Sequence, residues 1–336
     1  MKKEKNKVEN STIEDTIKSI QDRFGVESLM RLDSDYHLNV EAISTGSIKI
    51  DEILGVGGFP KGRIIEVYGS AASGKSTLAL HVIEQTQQDG GIAAIIDTEH
   101  ALDKRYAEKL GVNLHDLLIS QPNNAEEALQ IIEQLVRDGR VSVVVLDSVA
   151  ALLPRAESVG EIGETQIGLQ ARILSSALRK LVGLVSKSNV CLIFVNQTRA
   201  AINTGPFAFA GPTTTTSGGT ALPFYASVRI EMKRISNIKQ GDVVIGSRTR
   251  VKIVKNKVAA PFKECEVDVI YGEGISKTAE IMEMAIKTGV ITQKGSFFYY
   301  GESSIGHGNV QVREWLLGNR EEYDKIKEKI KEIANE

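Results

Sequence analysis

The segment GSAASGKS, Gly69 to Ser76, has the G-x-x-x-x-G-K-[ST] spacing of a loop that wraps a phosphate chain. A strand-like apolar run precedes it and a helical run, STLALHVIEQTQ, follows, the context that gives the spacing meaning. The residue types answer to the chemistry. Backbone N–H groups along Gly69, Ser70, Ala71, Ala72, Ser73 and Gly74, with the helix N-terminus behind them, cradle phosphate oxygens. Lys75 neutralises the β- and γ-phosphates, and the Ser76 hydroxyl ligates Mg²⁺ directly. Asp147 closes VSVVVLD, at the C-terminal edge of a strand where parallel sheets bind ligands, and holds the Mg²⁺ through water. The plainer alternative for Asp147 is a helix cap. Ser148 follows it where a water-activating Glu often stands, so a hydrolytic carboxylate must come from elsewhere. Glu99, at the end of IIDTEH, is the best source of a base that orients and deprotonates water. Its plainer alternative is a surface acid in a turn.

These groups meet only if parallel strands deliver them to one edge. The runs 63–69, 91–98, 116–121, 141–147 and 190–196 are continuous and apolar, separated by helical segments. That pattern predicts an α/β fold, a mainly parallel sheet covered by helices on both faces. The later runs 226–234, 249–257 and 265–272 alternate and follow closely, which predicts an antiparallel extension at one edge. A helical period with a narrow apolar stripe runs over 11–32, through Ile13, Ile17, Ile20 and Phe24, with Ser11 and Glu14 in a capping-box pattern. After Gly274 the pattern becomes a helix, a short aromatic hairpin at SFFYY and two helices, a small separate α/β unit. The expected division is 1–36 for a tail and docking helix, 37–273 for the ATPase core, and 274–336 for the C-terminal domain.

Composition excludes several classes. At 336 residues, with 42% apolar and 25% charged, the chain can bury a large core. No apolar run is long enough to span a membrane, and the basic N-terminus lacks the apolar segment of a signal peptide. Cys191 and Cys265, both in strand-like runs, read as buried thiols in a reducing compartment, hence a cytoplasmic protein. A net charge of −2 gives no global attraction to nucleic acid, so any such site must be a local basic patch.

Three further stretches stand out. Residues 198–219, TRAAINTGPFAFAGPTTTTSGG, show neither helical nor alternating pattern and are long for a loop, so they are a lid or a tether. On the stretch 164–183, ETQIGLQARILSSALRKLVG, Arg172, Ser175, Ser176 and Arg179 share one helical face, with Ile173, Leu174, Ala177, Leu178 and Leu181 largely on the other side. Such a face is often merely solvated. Lys255 and Lys257, two apart on a predicted strand, point to one side, which is unfavourable unless an anion lies between or beyond them.

Taken with GSAASGKST, IDTEHALDKRYAEKLGV, VVVLDSVAALLPRAE, GEIGETQIGLQAR, FVNQTR, FYASVR and RVKIVKNKVAAPFK, the chain resembles the bacterial RecA recombinases over residues 11–330. The resemblance implies an ATP-dependent, Mg²⁺-requiring enzyme. It would form helical filaments on single-stranded DNA, exchange strands with a homologous double-stranded partner, and hydrolyse ATP when DNA is bound, in DNA repair and the DNA-damage (SOS) response. It implies Glu99 as the catalytic base, adds Thr77 to the nucleotide loop, and puts Asp103 and Tyr106 at the adenine. Tyr106 stacks there or belongs to the core; both stay open. Gln197 would sense the γ-phosphate, and the segment behind it would be the second DNA loop, about 198–217, carrying Arg199, Ile202 and Phe209, with Gly218 and Gly219 just beyond. The first DNA loop, about 157–168, would bring Ile167 and Gly168 beside Arg172, Ser175 and Arg179. Lys255 and Lys257 would reach the neighbouring subunit's γ-phosphate, Phe224 would pack across the same boundary, and the N-terminal helix would dock on the next subunit to give an open polymer. Self-cleavage of a stress-response repressor is implied by the family alone. Three departures are visible: Pro223 where a Lys or Arg is usual, a longer second loop, and no acidic tail. Lysines 325, 327, 329 and 331 attract duplex DNA or simply solvate their helix. Rival readings are a ring-forming motor of helicase type and a non-hydrolysing nucleotide-gated scaffold.

Overall fold

A computed structural model describes residues 13–29, 40–159, 168–201 and 213–335. The five apolar runs become strands β3 (Ile64–Gly69), β4 (Ile92–Asp97), β5 (Leu117–Ser120), β6 (Val141–Asp147) and β7 (Cys191–Ala201). They pair in parallel in the order β3-β7-β6-β4-β5. Alternate residues on a strand face opposite ways. Ile65, Val67, Ile95, Val145 and Ile193 pack on the side of helix α3 (Lys75–Gln88). Ile64, Ile96, Leu146, Leu192 and Phe194 pack on α5 (Ala125–Asp138) and α7 (Leu169–Ser188). Both faces are therefore covered, as expected.

Shorter elements connect these: β1 (Ala42–Ile43), α2 (Ile48–Leu54), β2 (Phe59–Pro60), α4 (Lys104–Lys109), α6 (Arg155–Val159) and α8 (Ala221–Tyr225). The antiparallel extension is present and longer than the pattern suggested. It comprises β9 (Val228–Gln240), β10 (Val243–Asn256), β11 (Glu264–Ile270) and β12 (Gly274–Ile275), with β9 joined in parallel to β3. A two-residue turn at Gly241–Asp242 lets β9 and β10 run far beyond their apolar segments as a polar hairpin.

Three expectations change. The second loop is not wholly irregular: its ends form an antiparallel ribbon, β7 continuing to Ala201 against β8 (Thr213–Thr216), with Arg199 opposite Thr215. Threonine, β-branched, suits that pleat. Among the described residues the N-terminal helix α1 is Ile13–Phe24, ended by Gly25 at φ 97° and a short 3₁₀ turn, while Ser11 and the far end of the expected run lie outside the described residues. Residues 1–40 and 41–336 are separate compact units. In the first, Ile13 and Phe24 are exposed. The third change is at the C-terminal end, where the aromatic hairpin gains a third strand: β13 (Ile291–Lys294), β14 (Phe297–Tyr300) and β15 (Ser303–His307). Helices α9 (Lys277–Lys287), α10 (Gly308–Gly318) and α11 (Arg320–Asn335) pack with it around Ile281, Phe298 and Leu316. Both cysteines are free; Cys191 is buried and Cys265 partly so. No helix among the described residues is long and apolar enough to cross a membrane.

Helix α9 is fastened to the core by a buried carboxylate and a more exposed ion pair. Glu280 accepts from Ser47 Oγ at 2.5 Å and from the Ile48 N–H at 3.0 Å, at the start of α2. Arg248 on β10 reaches both Asp268 (2.8 Å) and Glu283 (3.0 Å). Burial, opposed by those hydrogen bonds, pushes the Glu280 carboxyl up to about 7 from an ordinary 4.5. The folded protein then keeps a proton that the unfolded chain has released, so stability falls as pH rises through that window. In urea unfolding across that pH range, the parent midpoint should drop relative to Glu280→Gln; parallel curves would show that Glu280 titrates normally.

Candidate active site

Register decides which groups meet. Gly69 at the end of β3 lies beside Gln197 on β7, and Asp147 on β6 beside both Val195 and Asp97. The phosphate loop follows Gly69, and α3 starts at Lys75 with Gly74 at φ 88°. Ser70, Ala71, Ala72 and Ser76 are exposed along it, while Ser73 is buried with its hydroxyl unpartnered among the described residues. Lys75 is buried and donates from Nζ to the Ser70 carbonyl at 2.7 Å, curled into its own loop. Burial holds its pKa below the usual lysine value, against the attraction of Asp147 and Glu99.

Asp147 is half-buried and hydrogen-bonded to the Ser76 hydroxyl. Burial raises its pKa and the nearby Glu99 and Asp97 carboxylates add to the rise, while Ser76 and Lys75 oppose it. Glu99 is exposed, yet its Oε1 accepts from Ser148 Oγ (2.5 Å) and from Gln197 Nε2 (2.9 Å). Ser148, where a Glu often stands, thus holds the Glu99 carboxylate. Asp97, another residue the motifs did not single out, accepts from the Ala101 and Leu102 N–H groups (3.3 and 3.2 Å) and from Gln121 (3.0 Å). It fixes the turn between Glu99 and Asp103. No motif marks either role, because each depends on a partner from another strand or loop.

Asp103 caps α4, accepting from the N–H groups of Arg105 and Tyr106. Tyr106 is half-buried against the core and its hydroxyl meets Thr77 Oγ1 at 2.9 Å. It also lines, with Ser76, Asp97, Glu99, Asp103 and Asp147, a cavity of about 130 Å³ beside the phosphate loop. Tyr106 is therefore both core-packed and site-facing.

The ribbon and α7 are brought together. Gly218 and Gly219, at φ 85° and 76°, lead the chain out of β8, and a Cβ on either would strike Leu174, Val149 or Ala171. This close approach needs glycine whatever else these residues do. Arg172 and Arg179 are exposed on α7, Ser175 is part-buried, and Gly168 (φ 74°) precedes the helix. Arg199 is exposed on the ribbon. Ile167, Ile202 and Phe209 lie outside the described residues. Gln197 lies inside a strand rather than just beyond the run 190–196, since β7 runs on four residues to Ala201. The two lysines also differ from expectation: a register shift between Ile253 and Lys255 precedes the strand end at Asn256, leaving Lys257 beyond it. Lys255 donates to the Pro223 and Phe224 carbonyls at 2.8 and 2.9 Å, away from the phosphate loop. Burial lowers its pKa, and Lys257 and Arg229 lower it further by repulsion. Phe224 itself is 76% exposed.

Family models for the RecA N-terminal domain and the RecA C-terminal domain match residues 11–276 and 279–335. The chain belongs to the RecA family. The Protein RecA of Geobacter metallireducens is 52% identical over 323 residues, 96% of this chain and 94% of its own length. That of Geobacter sulfurreducens is 53% identical over the same shares, and that of Citrifermentans bemidjiense 53% identical over 93% of this chain and 91% of its own. Among solved structures, a RadB recombinase superposes with a TM-score of 0.52 at 25% identity, covering 69% of this chain and 98% of its own. The protein is accordingly a recombinase of this family, a nucleotide-binding, DNA-dependent ATPase, and neither the ring-motor nor the scaffold reading is favoured.

Because Ser148 orients Glu99 through a single hydrogen bond, Ser148→Ala should slow DNA-stimulated hydrolysis about tenfold, the equivalent of ~1.4 kcal/mol. Nucleotide affinity should be retained. A steady-state phosphate-release assay beside equilibrium nucleotide binding checks both; an unchanged rate would remove Ser148 from the site.

Proposed function

We propose that the nucleotide is ATP with Mg²⁺ and that the protein, in the cytoplasm, assembles head to tail on single-stranded DNA. There it pairs that strand with a homologous duplex and exchanges them. The observation that best supports this is the 2.9 Å bond from Gln197 to Glu99. One amide touches the candidate base and stands on the strand that continues into the ribbon, so occupation of the phosphate site and the setting of the ribbon share a residue. A segment ordered by a γ-phosphate contact is a known form of switch.

The donor set suits Mg²⁺. Ser76 and Asp147 are adjacent, and a cation relieves the crowding of Asp147 by Glu99 and Asp97. Among the described residues no cluster of three or more His, Cys, Asp or Glu side chains could hold a metal alone, which accords with an ion shared with substrate phosphates and water. When bound, the ion neutralises charge on the β- and γ-phosphates. Lys75 would leave the Ser70 carbonyl to bind the same oxygens, and Gln197 would turn its amide to the γ-phosphate. Glu99 would take a proton from the attacking water as the water oxygen bonds to the γ-phosphorus and the bond from that phosphorus to the β–γ bridging oxygen breaks, releasing ADP.

Assembly accords with apolar groups left uncovered. Phe224 is exposed beside the Lys255 anchor, as are Ile13 and Phe24 on α1. Leu118 and Ile119, on the edge strand β5, are 47% and 49% exposed and offer a neighbour's α1 an apolar seat. Lys255 and Lys257 would then act on the adjoining subunit's nucleotide, making hydrolysis depend on assembly. Arg172, Ser175, Arg179, Arg199 and the backbone near Gly218 and Gly219 would grip phosphates without reading sequence. Stimulated self-cleavage of an SOS repressor belongs to the same reading.

Glu99→Gln should reduce hydrolysis by about 10²–10⁴-fold while keeping ATP-dependent binding to a labelled oligonucleotide. Undiminished turnover removes Glu99 from its role. Equal oligonucleotide affinity with ATP, ADP and no nucleotide in the parent protein overturns the reading as a whole.

A further inference from the structure

A buried polar cluster next to the site is used by none of the chemistry above. Asn196 immediately precedes Gln197 on β7 and is fully buried. Both N–H donors and the oxygen of its amide are engaged, with three different segments. Its Oδ1 accepts from the Gln197 N–H at 2.8 Å, and its Nδ2 donates to Glu66 Oε1 on β3 (2.9 Å) and to the Ser217 carbonyl just past β8 (3.0 Å). Glu66, also fully buried, takes Arg229 Nε on its other oxygen at 2.6 Å. Arg229 lies over the Tyr68 ring at 4.7 Å and sits opposite Lys255 in the β9–β10 register. Its charge helps lower the pKa of Lys255, so the two cations feel each other.

We propose that Asn196, Glu66 and Arg229 are positioning residues that couple Gln197 and the root of the ribbon to Lys255, linking the nucleotide a subunit binds to the lysine it extends toward the neighbouring one. This rests on the function proposed above and goes beyond it. The physical ground is that one side chain ties the Gln197 backbone and the returning end of the ribbon together. A shift of Gln197 therefore moves Asn196, and Asn196 shares its carboxylate partner with Arg229. A network anchored on two fully buried polar side chains has few arrangements, and breaking one contact strands its partner. An apolar pair could fill the same space without joining these groups, so packing alone does not require the arrangement.

The test uses the full chain and two readouts. One is the ratio of single-stranded oligonucleotide affinity with a slowly hydrolysed ATP analogue to that with ADP. The other is the Hill coefficient of DNA-stimulated ATPase activity in ATP. Asn196→Asp presents an acceptor to two acceptors, Glu66 and the Ser217 carbonyl. It should lower the affinity ratio about tenfold and bring the Hill coefficient toward one, with nucleotide affinity in the absence of DNA unchanged. Adding Glu66→Gln restores a donor facing an acceptor at the β3 contact and keeps an amide oxygen for Arg229, while the Ser217 carbonyl stays unpaired, so the double variant should regain part of the cooperativity. Parental values in Asn196→Asp, or a double variant with the parental circular dichroism that stays non-cooperative, overturn the proposal. Should Asn196→Asp fail to fold, Arg229→Lys keeps the charge but loses the guanidinium fork, and an unchanged Hill coefficient there overturns it equally. If the parent itself makes no distinction between the analogue and ADP, it is the proposed function that fails.

Discussion

The alignment of four parallel strand ends is the constraint from which the rest of the molecule follows. β3 delivers the phosphate loop, β6 delivers Asp147, β4 leads to Glu99, and β7 carries Gln197 between them. A slip of one residue in β7 would turn Gln197 to the opposite face and bring a neighbour into its place. What opposes the slip is apolar burial on both faces of β7, with Leu192 and Phe194 directed to one helix layer and Ile193 and Val195 to the other. Hydrophobic packing thus sets a polar geometry it never touches. The polar contacts that follow are then satisfied in place: Thr98 donates to the Ser148 carbonyl at 2.8 Å, and Ser148 in turn to Glu99 at 2.5 Å.

Electrostatically the site is a crowded acid cluster with a lysine folded over it. Lys75 is held on its own loop by one carbonyl and is destabilised as a cation by burial, while Asp147 is destabilised as an anion. Each is held away from its preferred charge state by the same desolvation, and each is eased by the other's presence. A polyphosphate with its cation supplies both missing counter-charges at once.

Much of this was legible in the chain, because local rules governed it. The phosphate loop is a contiguous motif, the parallel strands are unbroken apolar runs, and Asp147 and Glu99 stand at their ends. What escaped was non-local. The contacts of Glu66 with Asn196 and Arg229 join residues 130 and 163 positions apart, and only topology makes them neighbours. The ribbon was hidden because four threonines and an irregular run carry no alternation, although β-branching suits the strand they form. Lys257 was placed on a strand by a period-two argument, but the strand ends one residue before it, at Asn256. The C-terminal third strand, Ser303–His307, has one buried apolar residue, Ile305, too little to give a pattern.

The two carbonyls that hold Lys255 have a bearing on the subunit when it stands alone. An ammonium satisfied by the oxygens of residues 223 and 224 presents little bare charge to passing polyanions. The same tether pins the short helix bearing Phe224, so the cation and the aromatic ring are released or retained as one. A solitary copy thus keeps this ammonium occupied by its own backbone.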